Sequence, residues 1–196
     1  MKIFSYVVSR DFGFAPNPFH QICTLATCKP KIRCAARLGD FVVGSCPSPD
    51  IYRLVFFMQV NEIVTYSDYW NDVRFQAKKP NFFGSEKAAF GDNIYRRDES
   101  GIWQQLDSHH TNDDGSRCED NVNKDTSCEN VLISRNFAYW GGNGPILPHR
   151  FYNLIKRGPG HKSTEFSEEF KEQVVAWLHE AERGFLGAPR EWGAEV

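Results

Sequence analysis

The chain has 196 residues, of which 41% are hydrophobic and 24% charged, a composition typical of globular proteins that bury a sizeable core. Its formal net charge is −2, whereas proteins that bind nucleic-acid duplexes without sequence preference usually carry a basic excess. The charge therefore favours a small ligand, a flipped base or a protein partner. Aromatic residues make up 14% of the chain, and their rings line ligand pockets and stack on bases as well as filling cores.

The N-terminal part predicts a strand, a stiff loop and a short helix. Residues 2–8 alternate and are rich in β-forming residues, which predicts the first strand. A proline-punctuated loop, GFAPNPFHQICTLATCKP, covers residues 13–30. The segment KPKIRCAARLG then predicts a helix with Pro30 in its first turn and Gly39 after its end.

The middle of the chain predicts further strands joined by polar segments. GDFVVGSC and YRLVFFMQVNEIV each predict one strand, and SDYW predicts a short helix capped by Ser67. A polar and aromatic connection follows at residues 71–92, and NIYRR, DESG and IWQQL predict a strand, a turn and a strand. Residues 107–130 are polar, acidic and loop-like, and VLISRNFAYW predicts another strand.

The C-terminal part predicts one amphipathic helix at about residues 166–184, because its apolar residues recur at helical spacing. The tail at residues 187–196 is expected to be loose. No composition shift or linker divides the chain, so we predict a single α+β domain over residues 1–196 with a mixed sheet.

The cysteines and the N-terminus indicate a cytoplasmic protein. No run reaches the roughly 18 apolar residues of a membrane span. The apolar start of the chain is interrupted by Arg10 and Asp11, which favours a strand over a secretory signal. The six cysteines are therefore expected to be reduced thiols in a cytoplasm.

The spacing of the cysteines favours neither a metal site nor a strongly activated nucleophile. Cys23, Cys28 and Cys34 lack the short paired spacings of zinc modules, so no metal and no cofactor is predicted. A thiol paired with a distant histidine stays possible, and Cys23 or Cys28 with His20 or His109 is the pairing to test.

Basic and aromatic residues alternate in two stretches. Cations cluster around the first helix and in the 71–92 segment, where they lie beside phenylalanines. This mixture suits a nucleotide, because cations contact phosphate and rings stack on a base. A solvated charged face is the simpler alternative.

Several ordered blocks resemble the nucleotide-modification-associated domain 2 family of phage and bacterial proteins. They are the 13–30 loop followed by GDFVVG, YRLVFFMQVNEIVTYSDYWND, RFQAKKP, GDNIYRRDESGIWQQLDSHH and VLISRNFAYWGG. The resemblance covers residues 1–150 and implies a setting in nucleic-acid modification. The blocks carry Asn17, Pro18, Phe19, Cys23, Thr24, Lys29, Arg33, Arg74, Lys78, Asp92, Asn93, Tyr95, Ser108, His109, Asp125 and Thr126. GDFVVG followed by YRLVFFMQV is also similar to base-recognising barrels of the pseudouridine-synthase-associated kind, which implies a partly barrel-like sheet.

Our leading hypothesis is a domain that binds a nucleotide or modified base, in DNA, RNA or free form, and serves nucleic-acid modification or phage defence and counter-defence. Asn17 and Asn93 would read the base edge, and Tyr95 or Trp103 would stack on the base. Lys29, Arg33 and Arg74 would hold phosphate. Phe19, Cys23, Thr24, Lys78 and Ser108 complete the predicted binding set.

Two alternatives stay open. The first is an enzyme acting on a nucleotide or base, with His109 as general acid or base and Asp92 or Asp125 orienting it. The second is a protein-interaction or inhibitor module, which predicts an exposed apolar patch in place of a pocket. The sequence gives no oligomeric state.

Overall fold

The computed structural model describes residues 1–158, 160–163 and 166–192. They form two compact units, each assembled from separated segments of the chain. Unit 1 comprises Met1–Phe12, Ala36–Asn61 and Ser134–Val196, and unit 2 comprises Gly13–Ala35 and Glu62–Ile133. The single domain over residues 1–196 stays a prediction.

The described residues combine short strands with a few helices, as an α+β protein should. The strands are β1 (Ile3–Val7), β2 (Cys23–Leu25), β3 (Phe41–Ser45), β4 (Leu54–Gln59), β5 (Glu62–Thr65), β6 (Tyr95–Arg97), β7 (Trp103–Gln105), β8 (Asn130–Ser134), β9 (Asn136–Tyr139), β10 (His161–Lys162) and β11 (Gly184–Phe185). The α-helices are α1 (Pro30–Ala35), α2 (Tyr66–Asn71), α3 (Glu86–Ala89), α4 (Glu119–Thr126) and α5 (Glu168–His179), and 3₁₀ turns cover Val73–Lys78, Gly141–Asn143 and His149–Leu154.

Unit 1 is built on a six-stranded mixed sheet in the order β10-β1-β3-β4-β9-β11. β1 pairs parallel with β3 and β9 parallel with β11, while the other pairs are antiparallel. The predicted C-terminal helix is confirmed as α5, whose Val174 and Leu178 are buried in one core with Phe57 of β4. Ser167 caps α5, since its hydroxyl accepts a hydrogen bond from the Phe170 N–H.

Two local predictions in the middle of the chain are wrong. The segment 52–64 forms two strands in different sheets, because the chain breaks at Asn61, whose side-chain oxygen accepts hydrogen bonds from the N–H groups of Arg135 and Asn136. Helix α2 is capped by Thr65, not by Ser67: the Thr65 hydroxyl accepts a hydrogen bond from the Asp68 N–H.

The tail is also more ordered than expected. The Arg190 and Glu191 N–H groups donate to Asp11, and the Trp192 indole donates to the Phe12 carbonyl. Residues 187–192 are therefore anchored within unit 1, and residues 193–196 lie outside the described part of the chain.

Unit 2 contains a three-stranded sheet in the order β2-β8-β5, the β6–β7 hairpin and helices α1 to α4. Helix α4 lies inside the segment predicted as a loop. Only Val122 and Asp125 of its eight residues are buried, so it has no apolar stripe to announce it. No sheet among the described residues closes into a barrel, so the barrel-like interpretation is not confirmed.

No helix in the described ranges combines the length and the apolar character needed to cross a bilayer.

Candidate functional site

Several residues predicted to bind a ligand form an internal polar network in unit 2. The fully buried Asp92 carboxylate accepts hydrogen bonds of 2.7 Å from the Thr24 hydroxyl and from the Tyr69 hydroxyl. Burial raises the pKa of Asp92. The buried Asn93 amide donates to the carbonyls of Tyr69 and Phe75. These bonds give Asp92 and Asn93 structural roles, and the base contact predicted for Asn93 does not fit its burial.

Lys78 ties the proline-rich loop together from inside. Its ammonium donates to the Asn17 carbonyl at 2.9 Å, to the Asn17 side-chain oxygen at 2.6 Å and to the Ile22 carbonyl at 2.6 Å. The Asn17 amide nitrogen donates to the Phe90 carbonyl. Burial lowers the pKa of Lys78 to about 8. Lys78 and Asn17 thus satisfy each other, and neither is placed to contact a base or a phosphate.

Cys23 and Phe19 belong to the packed interior of unit 2, with 0% and 2% exposure. Burial raises the pKa of the Cys23 thiol to about 12, which keeps it protonated at neutral pH. A protonated, enclosed thiol is not a nucleophile. Of the two thiols considered from the sequence, Cys23 is therefore the structural one.

Arg74 is exposed but already paired. Its guanidinium donates to both carboxylate oxygens of Glu62, at 2.8 and 2.9 Å, and to Asp72. Two carboxylates therefore compete with any phosphate for this cation, contrary to the phosphate role predicted for Arg74.

Cys28, His110 and Asp125 come from three separate segments and meet in one cluster. The Cys28 sulfur lies 3.5 Å from His110 Nε2, and His110 Nδ1 lies 2.8 Å from Asp125 Oδ2. Cys28 follows β2, His110 lies after the β6–β7 hairpin, and Asp125 lies in α4. A nucleophile hydrogen-bonded to a base, which is oriented in turn by a carboxylate, is the arrangement of covalent catalysis.

The Asp125 carboxylate is held by several donors. Its Oδ1 accepts from the Cys28 N–H at 2.8 Å, and its Oδ2 accepts from the Tyr95 hydroxyl at 3.0 Å as well as from His110. The Ser108 hydroxyl accepts a hydrogen bond from the His110 N–H. Two residues predicted to bind a ligand, Tyr95 and Ser108, therefore act here as supports of the imidazole and its carboxylate.

The charge on His110 is favoured at neutral pH. Burial lowers its pKa, but the hydrogen bonds to Asp125 and Cys28 outweigh the burial and raise the pKa to about 9. The protonated ring then places a positive charge 3.5 Å from the Cys28 sulfur, which favours the thiolate.

Arg33 fastens the segments that carry the cluster. Its guanidinium is fully buried and donates to the carbonyls of Cys28, Asp125, Cys128 and Asn130. These contacts join the residue that carries the thiol to the end of α4. The phosphate role predicted for Arg33 is therefore wrong: no part of its side chain faces solvent.

A disulfide joins the same two segments. It links Cys34, at the end of α1, to Cys128, two residues after α4. The expectation that all six cysteines are reduced is therefore wrong for this pair. Since α1 follows Cys28 and α4 carries Asp125, the bond holds both near one another.

The backbone at the thiol is strained. Cys28 and Lys29 have φ values of 56° and 42°, a left-handed conformation that residues with a Cβ rarely adopt. Such strain concentrates at functional sites. Lys29 is partly buried, and burial lowers its pKa.

The same three side chains could be considered as metal ligands, since their donor atoms lie within 4.8 Å of one another. The hydrogen-bond pattern argues against that use. Asp125 is already bonded to Nδ1 of His110, to Tyr95 and to the Cys28 N–H, which leaves only the sulfur and Nε2 directed at a common point. A catalytic zinc site needs three protein ligands.

His109, the histidine chosen from the sequence, points elsewhere. Its ring lies against Phe14 and Phe90, at centroid distances of 5.4 and 5.7 Å. It also lines a cavity of about 490 Å³ whose rim includes Asp107 and Asp113. Sequence reasoning noted the adjacent pair of histidines but could not choose between them, because the choice depends on where α4 places Asp125.

A second cavity in unit 2, of about 200 Å³, combines two indoles with two guanidinium groups. Ser67, Trp70, Asn71, Arg96, Arg97, Trp103 and Glu129 line it. The Arg97 guanidinium lies over the Trp103 ring at 4.1 Å and donates to Glu129. Of the two rings predicted to stack on a base, Tyr95 is buried, whereas Trp103 lines this cavity. The sequence signal for its other members was the tryptophan of SDYW and the arginine pair of NIYRR.

Neither the search of curated proteins nor that of solved structures finds a match. The family profile described as nucleotide modification associated domain 2 matches residues 1–196. The chain therefore belongs to the nucleotide modification associated domain 2 family.

Proposed function

We propose that this protein is an enzyme of nucleotide modification in which Cys28 is the nucleophile. His110 is its acid–base partner, and Asp125 orients the imidazole. The observation that carries the proposal is the continuous chain of contacts from sulfur to Nε2 at 3.5 Å and from Nδ1 to the carboxylate at 2.8 Å. A metal is not required for this chemistry.

The proposed step forms one bond and moves one proton. The Cys28 thiolate attacks an electrophilic carbon of a base, or of a group attached to a base, and forms a carbon–sulfur bond. The displaced electron pair moves to the atom bonded to that carbon, and the Nε2–H of His110 protonates that atom. A second nucleophile then attacks the same carbon and releases the thiolate. The neutral His110 is the base that takes the proton from this nucleophile.

The ligand proposed from the sequence, a nucleotide or modified base, is supported by the Trp70–Trp103 cavity. Stacking of a base on an exposed indole is worth about 1–3 kcal/mol, whereas an exposed cation–π contact is worth about 0.5–1 kcal/mol. A base can therefore displace the Arg97 guanidinium from Trp103, and the released cation can pair with a phosphate. A setting in phage or bacterial nucleic-acid modification, in the cytoplasm, is part of the proposal.

Covalent capture tests the proposal. The protein is incubated with nucleoside mono- and triphosphates and with oligonucleotides that contain unmodified and modified pyrimidines, and intact mass is recorded after acid quench. We expect an adduct on Cys28 that is absent in Cys28→Ser and retained in Cys23→Ser, the matched control in the same unit.

A second candidate, a binding domain without turnover, is favoured by the same cavity and predicts a different result. It predicts that Cys28→Ser binds the nucleotides as well as the wild-type protein does, and that Trp103→Ala abolishes binding. The absence of any adduct at pH 6 to 9 together with that binding pattern would replace the enzyme by the binding domain.

A further inference from the structure

Unit 1 contains a cavity that none of the residues considered so far reaches. It has a volume of about 470 Å³ and is lined by Tyr152, Asn153, Ile155, Lys156, Arg157, His161 and Lys162. We refer to these seven residues as the basic cleft. The lining concentrates three permanent cations in a chain whose acidic residues outnumber its basic ones, 25 to 23.

Two of the cations are held in place. The Lys162 ammonium donates to the carbonyl of Asn153 and to its side-chain oxygen, the latter at 2.8 Å. The Arg157 guanidinium donates to the Tyr52 hydroxyl, and the Tyr52 ring stacks on Tyr152 with 3.6 Å between centroids. Both charges are thus positioned before any ligand arrives, which reduces the conformational entropy lost on binding.

The charges of the cleft are not neutralised within the part of the chain that the structure describes. No carboxylate in residues 1–158, 160–163 or 166–192 forms an ion pair with Lys156, Arg157 or Lys162. Burial lowers the pKa of Lys162, and the neighbouring Lys156 and Arg157 lower it further. The three cations repel one another, and an anion bound between them would relieve the repulsion.

The neutral groups of the cleft are already used. The Asn153 oxygens accept from Lys162, and one face of the Tyr152 ring is covered by Tyr52. The cleft therefore offers cations rather than a set of groups that reads a base. Contacts of this kind position a nucleic acid through its phosphates without reading its sequence.

We propose that the basic cleft binds the phosphodiester backbone of a nucleic-acid strand, so that the nucleotide acted on belongs to a strand. The site goes beyond the covalent chemistry proposed for Cys28, because it lies in the other unit and shares no residue with it.

Salt-dependent binding of an oligonucleotide tests the inference. Anisotropy of a fluorescein-labelled 20-nucleotide single strand is measured between 50 and 300 mM NaCl for the wild-type protein and for Lys156→Gln/Arg157→Gln/Lys162→Gln. Each lost phosphate contact lowers the slope of log K against log salt by about 0.7, so we expect a slope smaller by about 2 and affinity at least tenfold weaker at 50 mM.

Three controls keep the result interpretable. Lys31→Gln/Arg135→Gln removes two exposed cations outside the cleft and should leave the slope unchanged. Lys156→Arg/Lys162→Arg preserves the charge and should preserve binding. Iodoacetamide alkylation of Cys28 should be equal in the triple variant and the wild type, which separates this site from the thiol chemistry.

Three outcomes would overturn the inference. One is the absence of binding to the 20-nucleotide strand at 50 mM NaCl, and another is an unchanged slope in the triple variant. The third is inorganic triphosphate binding as tightly as the oligonucleotide, which would make the cleft a site for free phosphates.

Discussion

Replacing His110 by glutamine should remove a part of the stability that depends on pH. Burial lowers the pKa of His110, yet its bonds to Asp125 and Cys28 raise it overall from 6.5 to about 9. A rise of this size corresponds to about 3 kcal/mol of stabilisation by the protonated ring. Because the folded state has the higher pKa, the stabilisation is complete below the unfolded value of 6.5 and is lost as the pH rises through about 9.

Urea denaturation at pH 6.0 and pH 9.5 measures this contribution. The free energy of unfolding of the wild type should exceed that of His110→Gln by about 3 kcal/mol more at pH 6.0 than at pH 9.5. His109→Gln is the matched control, because the His109 ring packs on Phe14 and Phe90. Its difference from the wild type should be the same at both pH values.

Two results would refute this reasoning. The first is a difference between the wild type and His110→Gln that does not change with pH. The second is an NMR titration in which His110 loses its proton near pH 6.5, since the ring would then be neutral beside Cys28 at physiological pH.

Three further predictions concern the surroundings of the thiol. Iodoacetamide at pH 8 should label Cys28 and leave Cys23 unlabelled in peptide mass maps, because burial raises the pKa of Cys23 to about 12; equal labelling would contradict its enclosure. Arg33→Lys should lower the free energy of unfolding by more than about 3 kcal/mol in urea titrations, because lysine cannot reach the four carbonyls that Arg33 satisfies; a loss below about 1 kcal/mol would argue against the clamp. Cys34→Ser should lower the stability under oxidising conditions by about 3–4 kcal/mol, because the bond to Cys128 closes a long loop, and dithiothreitol should erase the difference from the wild type.

The regular elements of the fold were largely predictable from local pattern. The alternation at residues 2–8 became β1, and the apolar spacing around Val174 became α5. Helix α4 escaped prediction because EDNVNKDT is stabilised by what Asp125 contacts rather than by an apolar stripe. A carboxylate that accepts from a cysteine N–H 97 positions away leaves no trace in local spacing.

The residue types of the site were predicted better than their roles. Asn17, Lys78 and Asp92 were correctly grouped as polar residues with a purpose, but burial turned that purpose inward. Cys28 and Asp125 were both considered, yet separately, because the sequence does not show that one histidine touches both. His110 was missed in favour of its neighbour for the same reason.

The left-handed backbone at Cys28 and Lys29 has a consequence for protein engineering. Glycine adopts such angles without steric penalty, so Lys29→Gly would relieve strain that the natural residue maintains. A library selected only for thermal stability should therefore be drawn to position 29, and the variants it returns would relax the turn that presents the sulfur to His110. Selections on this scaffold need thiol reactivity as a second criterion, or they will select for a more stable protein with a less reactive thiol.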